Sequence, residues 1–189
     1  MKEYPGSEGE ILLNQRRRLL IVMAALVFLF GVSIYLLDRN PASVYFIPAF
    51  LSPHTGQTHL FGALGYQLPT FIHVYVFILI TALVTRQSVY SFAIITLSWL
   101  LIDSALELAQ HADVSPLLLS YIPAWVQGIP VLENIPAYFR SGTFDVLDIY
   151  SIISGALAAF ISLLISKSWG VKSCYIKTEL SEKSFAQPH

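Results

Sequence analysis

Four polar residues near position 107 have the types and spacing for acid-base or ligand chemistry. Asp103, Glu107, Gln110 and His111 follow one another at steps of four, three and one. At 3.6 residues per turn this spacing confines them to an arc of roughly 100° on one helix. About thirty-five residues further on, Asp145 and Asp148 stand three apart, a spacing that puts two carboxylates on one helical face. Arg140 lies shortly before them, and His73 is the other histidine in comparable apolar surroundings. Four acids against one arginine and one or two histidines cannot all be paired as ions. At least one carboxyl is left to hold a proton, to bind a cation, or to sit in interfacial water.

Plainer roles are open to the same residues. Asp145 and Asp148 would stabilise the positive end of a helix, a contribution of about 0.3 to 1 kcal/mol each when exposed. Glu107 and Gln110 would fix helix packing through interhelical hydrogen bonds of about 1 kcal/mol each. The histidines would be structural, and Arg140 would serve as counter-ion to the acids or grip a phosphate or carboxylate head group. Glu107 and His111, at i and i+4, could present two ligands to a metal, and His73 with His111 could hold a haem. Lacking a second histidine pair or a cysteine nearby, the pattern leads us to expect neither metal nor cofactor. No Gly-rich phosphate loop, Ser-His-Asp order or H-E-x-x-H motif is present.

The elements that must position these groups are set by composition. Of 189 residues, 55% are hydrophobic and only 12% charged, a balance that belongs in lipid rather than in water. A net charge of -1, with no basic block beyond Arg16, Arg17 and Arg18, argues against nucleic acid as a partner. The single cysteine, Cys174, excludes an intramolecular disulfide. Backbone groups in lipid must be satisfied within the segment, so each long apolar run is expected to be a helix. Four runs qualify, at residues 18–37, 69–85, 88–111 and 144–166. The first follows the arginines as a signal peptide would, but no small-residue cleavage site follows it, and it reads as a retained helix. Val114 to Leu132 is apolar enough for a fifth, but Pro116, Pro123, Pro130 and Gly128 interrupt it.

The expected fold is therefore all-α: an integral membrane four-helix bundle with two long outer-face loops containing short interfacial helices. Residues 1–17 form a cytoplasmic segment, 18–169 a single transmembrane domain, and 170–189 a polar cytoplasmic tail. Four spans put Lys2, Arg16, Arg17, Arg18, Arg86, Lys167, Lys172, Lys177 and Lys183 on one side and only Arg39 and Arg140 on the other. By the positive-inside rule both termini are cytoplasmic. The outer connections, from Asp38 to Leu68 and from Ala112 to Thr143, are each roughly thirty residues long, more than a structureless loop usually spans. Runs such as Val44, Tyr45, Phe46 and Ile47, or Tyr121, Ile122, Ala124 and Trp125, suit the membrane interface. On the fourth helix the carboxylate face continues through Ile152 to Gly155 and Ala159. Small residues there would allow close approach to a neighbour, expected to be the third helix.

The order Glu107-Leu108-Ala109-Gln110, a loop closing on Arg140, then Phe144-Asp145-Val146-Leu147-Asp148 and Gly155 resembles the VanZ-like membrane proteins. That family pairs a Glu-x-x-Gln on one helix with an arginine, a short spacer, an aspartate and an Asn-x-x-Gly on the next. The resemblance covers about residues 69–164. Ile152 stands where the family has asparagine, with Ser151 the nearest polar residue, and the loop from Ala112 to Tyr138 is longer. The resemblance implies a bacterial inner-membrane protein acting at the outer face on or near a lipid-linked envelope component, with an effect on tolerance of the glycopeptide teicoplanin. It carries over Glu107, Gln110, Arg140, Asp145 and Asp148 as matching positions. Expected partners are membrane lipids and a lipid-linked precursor. The competing assignment, motivated by small size and aromatic loops, is a non-catalytic subunit of a larger membrane complex.

Overall fold

A computed structural model describes residues 6–38, 60–130 and 132–185 of the chain. Among these described residues are six α-helices: α1 (Gly6–Asp38), α2 (Leu64–Leu83), α3 (Val89–Leu108), α4 (Ser115–Tyr121), α5 (Ile135–Ser141) and α6 (Val146–Phe185). Four of them hold stretches long and apolar enough to cross a membrane: Leu13–Asp38, Leu64–Leu83, Val89–Leu108 and Val146–Ser168. The protein is thus a multi-pass, all-α membrane protein built as a four-helix bundle. The aromatic run Val44 to Ile47 lies outside the described residues.

The bundle alternates in direction, so α2 and α6 start at the end opposite the chain termini, called here the distal end. α2 and α6 share the most extensive interface, and α1 and α3 each pack on both of them. α2 is the central element: 44% of its span is buried, against 22% for α1 and 17% for α3. Its buried residues meet the neighbouring helices, while Tyr66, His73, Phe77 and Ile80 are exposed on the remaining side. Ile72, Val74, Val76, Ile78 and Leu79 meet Ile152, Ala156, Ala159 and Leu163 of α6 in one core.

Two glycines set the approach of the helices. A Cβ on Gly155 would stand 2.6 Å from the backbone oxygen of Phe71, and one on Gly31 would stand 2.9 Å from Ile72 Cγ2. The small-residue face of the fourth span is therefore pressed against α2 rather than against the third span. The expectation that the third span is its partner is corrected by this contact. Sequence adjacency favoured α3, but the space between helices is narrowest along the α2–α6 diagonal, and only a residue without a side chain fits there.

Helix limits follow local chemistry. α2 begins five residues before Pro69, because Asp38 at the end of α1 anchors the segment that leads into it. The buried Asp38 accepts a hydrogen bond from Phe61 N–H at 3.2 Å, and its Oδ2 sits where a Cβ of Gly65 would be. Between α2 and α3 the Gln87 side chain donates to the Ala82 carbonyl, and Ser88 Oγ accepts from Ser91 N–H at 3.1 Å. One side chain thereby closes the end of α2 and the next caps the start of α3. The proline-rich stretch after α3 is broken, as its composition predicts. Pro116 and Pro136 occupy the first turns of α4 and α5, where no backbone donor is needed, and Gly128 turns the chain at φ +88°. Ser115 Oγ donates to the Phe139 carbonyl at 2.6 Å and ties α4 to α5.

At the other end, Arg16 lies inside α1 rather than ahead of the first span. Its Nε donates to Ser166 Oγ at 3.1 Å and its Nη2 to the Leu163 carbonyl at 3.3 Å, while the guanidinium stands 4.9 Å from the Phe92 ring centroid. One cation thus joins α1, α3 and α6. Arg17 and Arg18 are exposed. α6 continues as a helix beyond the apolar stretch to Phe185.

Gly155→Ala places a methyl group against the Phe71 carbonyl, an overpacking expected to destabilise the bundle by about 1 to 3 kcal/mol. A lowered thermal midpoint of the purified protein in mild detergent checks it, and a midpoint equal to wild type would contradict close α2–α6 contact.

Candidate functional site

The distal start of α6 gathers most of the acids. Asp145 directly precedes the helix, and its Oδ1 accepts from Leu147 N–H at 2.9 Å, the geometry of an N-capping aspartate. In a capping box the residue three positions later would reach back to the N–H of the cap. Here that N–H, on Asp145, donates instead to Glu107 Oε1 of α3 at 2.8 Å. Asp148, released from the reciprocal role, accepts from Thr70 Oγ1 of α2 at 3.0 Å. Three acids and one hydroxyl therefore lock α2, α3 and α6 together at the point where α6 begins.

One turn deeper along α3, Asp103 is differently placed. It is 6% exposed, and its Oδ2 has no hydrogen-bond partner. Oδ1 lies 4.0 Å from Nδ1 of His73 on α2, a ring that is 49% exposed. That separation is beyond a hydrogen bond, so the two groups face each other without being joined. His73 packs edge-on against Phe77, Phe77 against Trp99, and Trp99 Nε1 donates to Thr81 Oγ1 at 2.9 Å. A half-exposed imidazole thus faces a buried carboxylate, one oxygen of which has no hydrogen-bond partner among the described residues.

α5 folds back over this end. Gln110 Nε2 donates to the Tyr138 hydroxyl at 2.6 Å, and its Oε1 is seated against Gly142, whose Cβ would also stand 2.8 Å from the Tyr138 carbonyl. Burial pushes the Tyr138 phenol above its ordinary range. The nearby carboxylates Glu107, Asp103 and Asp148 push the same way, against the hydrogen bond from Gln110.

Of the residues singled out by sequence, the structure brings together Asp103, Glu107, Gln110, Asp145 and Asp148. His111 and Arg140 lie apart. The His111 ring rests against Phe144 at 5.5 Å, and its Nδ1 accepts from Asp113 N–H at 3.3 Å, which assigns it to the turn after α3. The 3.5 Å approach of the exposed Asp113 carboxylate to the same nitrogen is then no hydrogen bond, because that nitrogen already acts as acceptor. Arg140 is exposed and, among the described residues, its guanidinium has neither a hydrogen bond nor an ion pair, so its expected role as counter-ion to the acids is corrected. It lies on α5, where it lines a cavity of about 290 Å³ with Leu119, Ile122, Pro123, Gln127, Glu133, Pro136 and Ala137. The acids do not need it, because backbone and hydroxyl donors meet three of them. Among the described residues, no three His, Cys, Asp or Glu side chains converge as a metal site.

Thr70 and Tyr138 belong to the site without having been singled out by sequence. Thr70 follows Pro69 at what reads as the start of a span, and Tyr138 lies in a loop with no motif. Only the α2–α6 contact and the return of α5 place them.

Glu107→Gln keeps an oxygen to receive the Asp145 N–H, whereas Glu107→Leu strands that donor. The glutamine variant is expected to retain wild-type stability, and the leucine variant to lose about 1 to 3 kcal/mol; thermal melts in detergent compare them. The raised phenol makes a second test. Its neutral form is favoured by folding, so its contribution to stability is intact below the ordinary phenol range and is lost as pH rises through the folded value. A tyrosinate absorbance titration of wild type minus Tyr138→Phe should show a component ionising above free tyrosine, and a component at or below it would contradict the packing.

Compared with protein-family models, curated proteins and solved structures, the chain matches none of them, and the assignment of a function rests on the geometry of this distal end.

Proposed function

We propose that this chain is a VanZ-like bacterial inner-membrane protein, with both termini cytoplasmic, that acts at the outer face on or beside a lipid-linked envelope component. The observation that carries this reading is Arg140: an exposed arginine whose guanidinium has no partner among the described residues, lining a cavity on α5 at the same end of the bundle as the acids. A guanidinium is suited to phosphate and carboxylate groups because its planar fork can give two parallel hydrogen bonds.

Orientation is supported by charge. Arg16, Arg17, Arg18, Arg86 and Lys167 lie towards the end where the chain begins, and Arg140 towards the opposite one, the imbalance that the positive-inside rule ties to a cytoplasmic face. The exposed Tyr121 and Trp125, on the segment joining α4 to the cavity, suit the level of the lipid head groups.

Within the distal cluster the roles divide. Glu107, Asp145 and Asp148 already receive hydrogen bonds that hold helices in place. Asp103 with His73 is the pair left to handle a proton, and Arg140 holds the anionic group of the envelope component. The protein thereby influences tolerance of teicoplanin-type glycopeptides.

In a strain whose teicoplanin tolerance depends on this gene, Arg140→Ala and Asp103→Asn should each lower tolerance at unchanged protein level. Glu107→Gln, which keeps the helix-start bond, should leave it intact. Full tolerance in both of the first two variants would defeat the proposal.

A further inference from the structure

The cavity beside Arg140 has a second charged wall. Glu133, on the 3-10 turn Leu132–Asn134 that leads into α5, lines the same space. Its backbone N–H donates to the Ile129 carbonyl at 3.0 Å, but among the described residues its carboxylate forms no hydrogen bond or ion pair, with Arg140 or with any other group. A cation and an anion facing one cavity without neutralising each other leave two opposite charges available to a ligand. Gln127 adds an uncharged polar group, and Leu119, Ile122, Pro123 and Pro136 form apolar walls.

We infer that this cavity recognises a phosphate bearing a neighbouring primary amine, the phosphate held by Arg140 and the ammonium by Glu133. The inference rests on the proposed outer-face role and names the ligand chemistry of its arginine. Size supports it. At about 290 Å³ the space falls just below the range of roughly 300 to 1,000 Å³ that drug-sized ligand sites occupy, enough for a head group and not for acyl chains. The apolar walls and the exposed Trp125 nearby suit a ligand whose tail stays in the membrane. A purely anionic head group would meet repulsion from Glu133, whereas a zwitterion satisfies both charges.

The test uses the full chain purified in a nonionic detergent and calorimetric titration with dihexanoyl phosphatidylethanolamine, dihexanoyl phosphatidylglycerol and O-phosphoethanolamine. Wild type should bind the ethanolamine lipid more tightly than the glycerol lipid. Arg140→Ala should weaken both lipids by about tenfold or more, the scale of a lost charge-assisted bond. Glu133→Gln should weaken only the ethanolamine lipid and abolish the preference. Ala137→Trp, which fills the cavity and keeps both charges, should abolish binding and so separates a site from general surface attraction. Both residues are exposed, and unchanged melting temperatures verify folding. Tighter binding of the lipid than of O-phosphoethanolamine assigns the ligand to the membrane; equal binding assigns it to a soluble amino phosphate, with the same recognition. Equal affinity of wild type for the two lipids, or ethanolamine-lipid binding unchanged by Arg140→Ala and Glu133→Gln, overturns the inference. Failure here with tolerance still lost in Arg140→Ala would leave the envelope role standing. Selective binding with full tolerance would remove that role and leave the site.

Discussion

α2 and α6 run parallel and both begin at the distal end of the bundle, so two positive helix ends lie close together. Each start also presents N–H groups with no partner inside its own helix. Acids stand at both starts, capping α6 directly and anchoring the segment that leads into α2. Asp38 from α1 receives Phe61 N–H just ahead of α2, Asp145 caps α6, and Glu107 reaches across from α3 to the N–H that the cap cannot serve. The concentration of carboxylates at one end is largely the counterpart of two parallel helix starts. Asp103, one turn deeper and only facing His73, is the acid that this explanation does not absorb.

The parallel pair depends in turn on Gly155. Because no side chain separates α6 from the Phe71 carbonyl, the beginnings of the two helices come within hydrogen-bond reach and Thr70 can donate to Asp148. Further along the same interface Tyr75 and Ser162 pair through their hydroxyls at 3.0 Å. Polar contacts of this kind fix the rotation of helices that dispersion alone would leave free to slide. Packing and polar geometry are thus one design: the close approach makes the contacts possible, and the contacts fix its register.

Two arginines show how position divides the work of one side-chain type. Arg16 is held by a hydroxyl, a carbonyl and an aromatic ring from α6 and α3, and its donors are spent on the fold. Arg140 stands on a seven-residue helix outside the bundle, has no such partners among the described residues, and faces a cavity. A guanidinium left unpaired among the described residues is a natural place for an external anion, and this contrast underlies the proposed function.

Much of this was legible in the amino-acid order. Four apolar runs determined four helices because lipid leaves the backbone no other way to satisfy itself. Prolines at 116, 123 and 130 determined that the stretch after α3 breaks into short pieces, and the spacing of Asp103, Glu107 and Gln110 determined that they share a face. Tertiary structure alone decided which helix that face meets, since contacts between distant segments depend on the fit of whole surfaces. It brought Gly155 to α2, gave Asp148 to Thr70, drew Tyr138 over Gln110, and turned Asp38 from a loop residue into the anchor ahead of α2. It also parted Arg140 from the acids. Charge balance alone would have paired them, but hydroxyl and backbone donors from α2 and the start of α6 reach those carboxylates first.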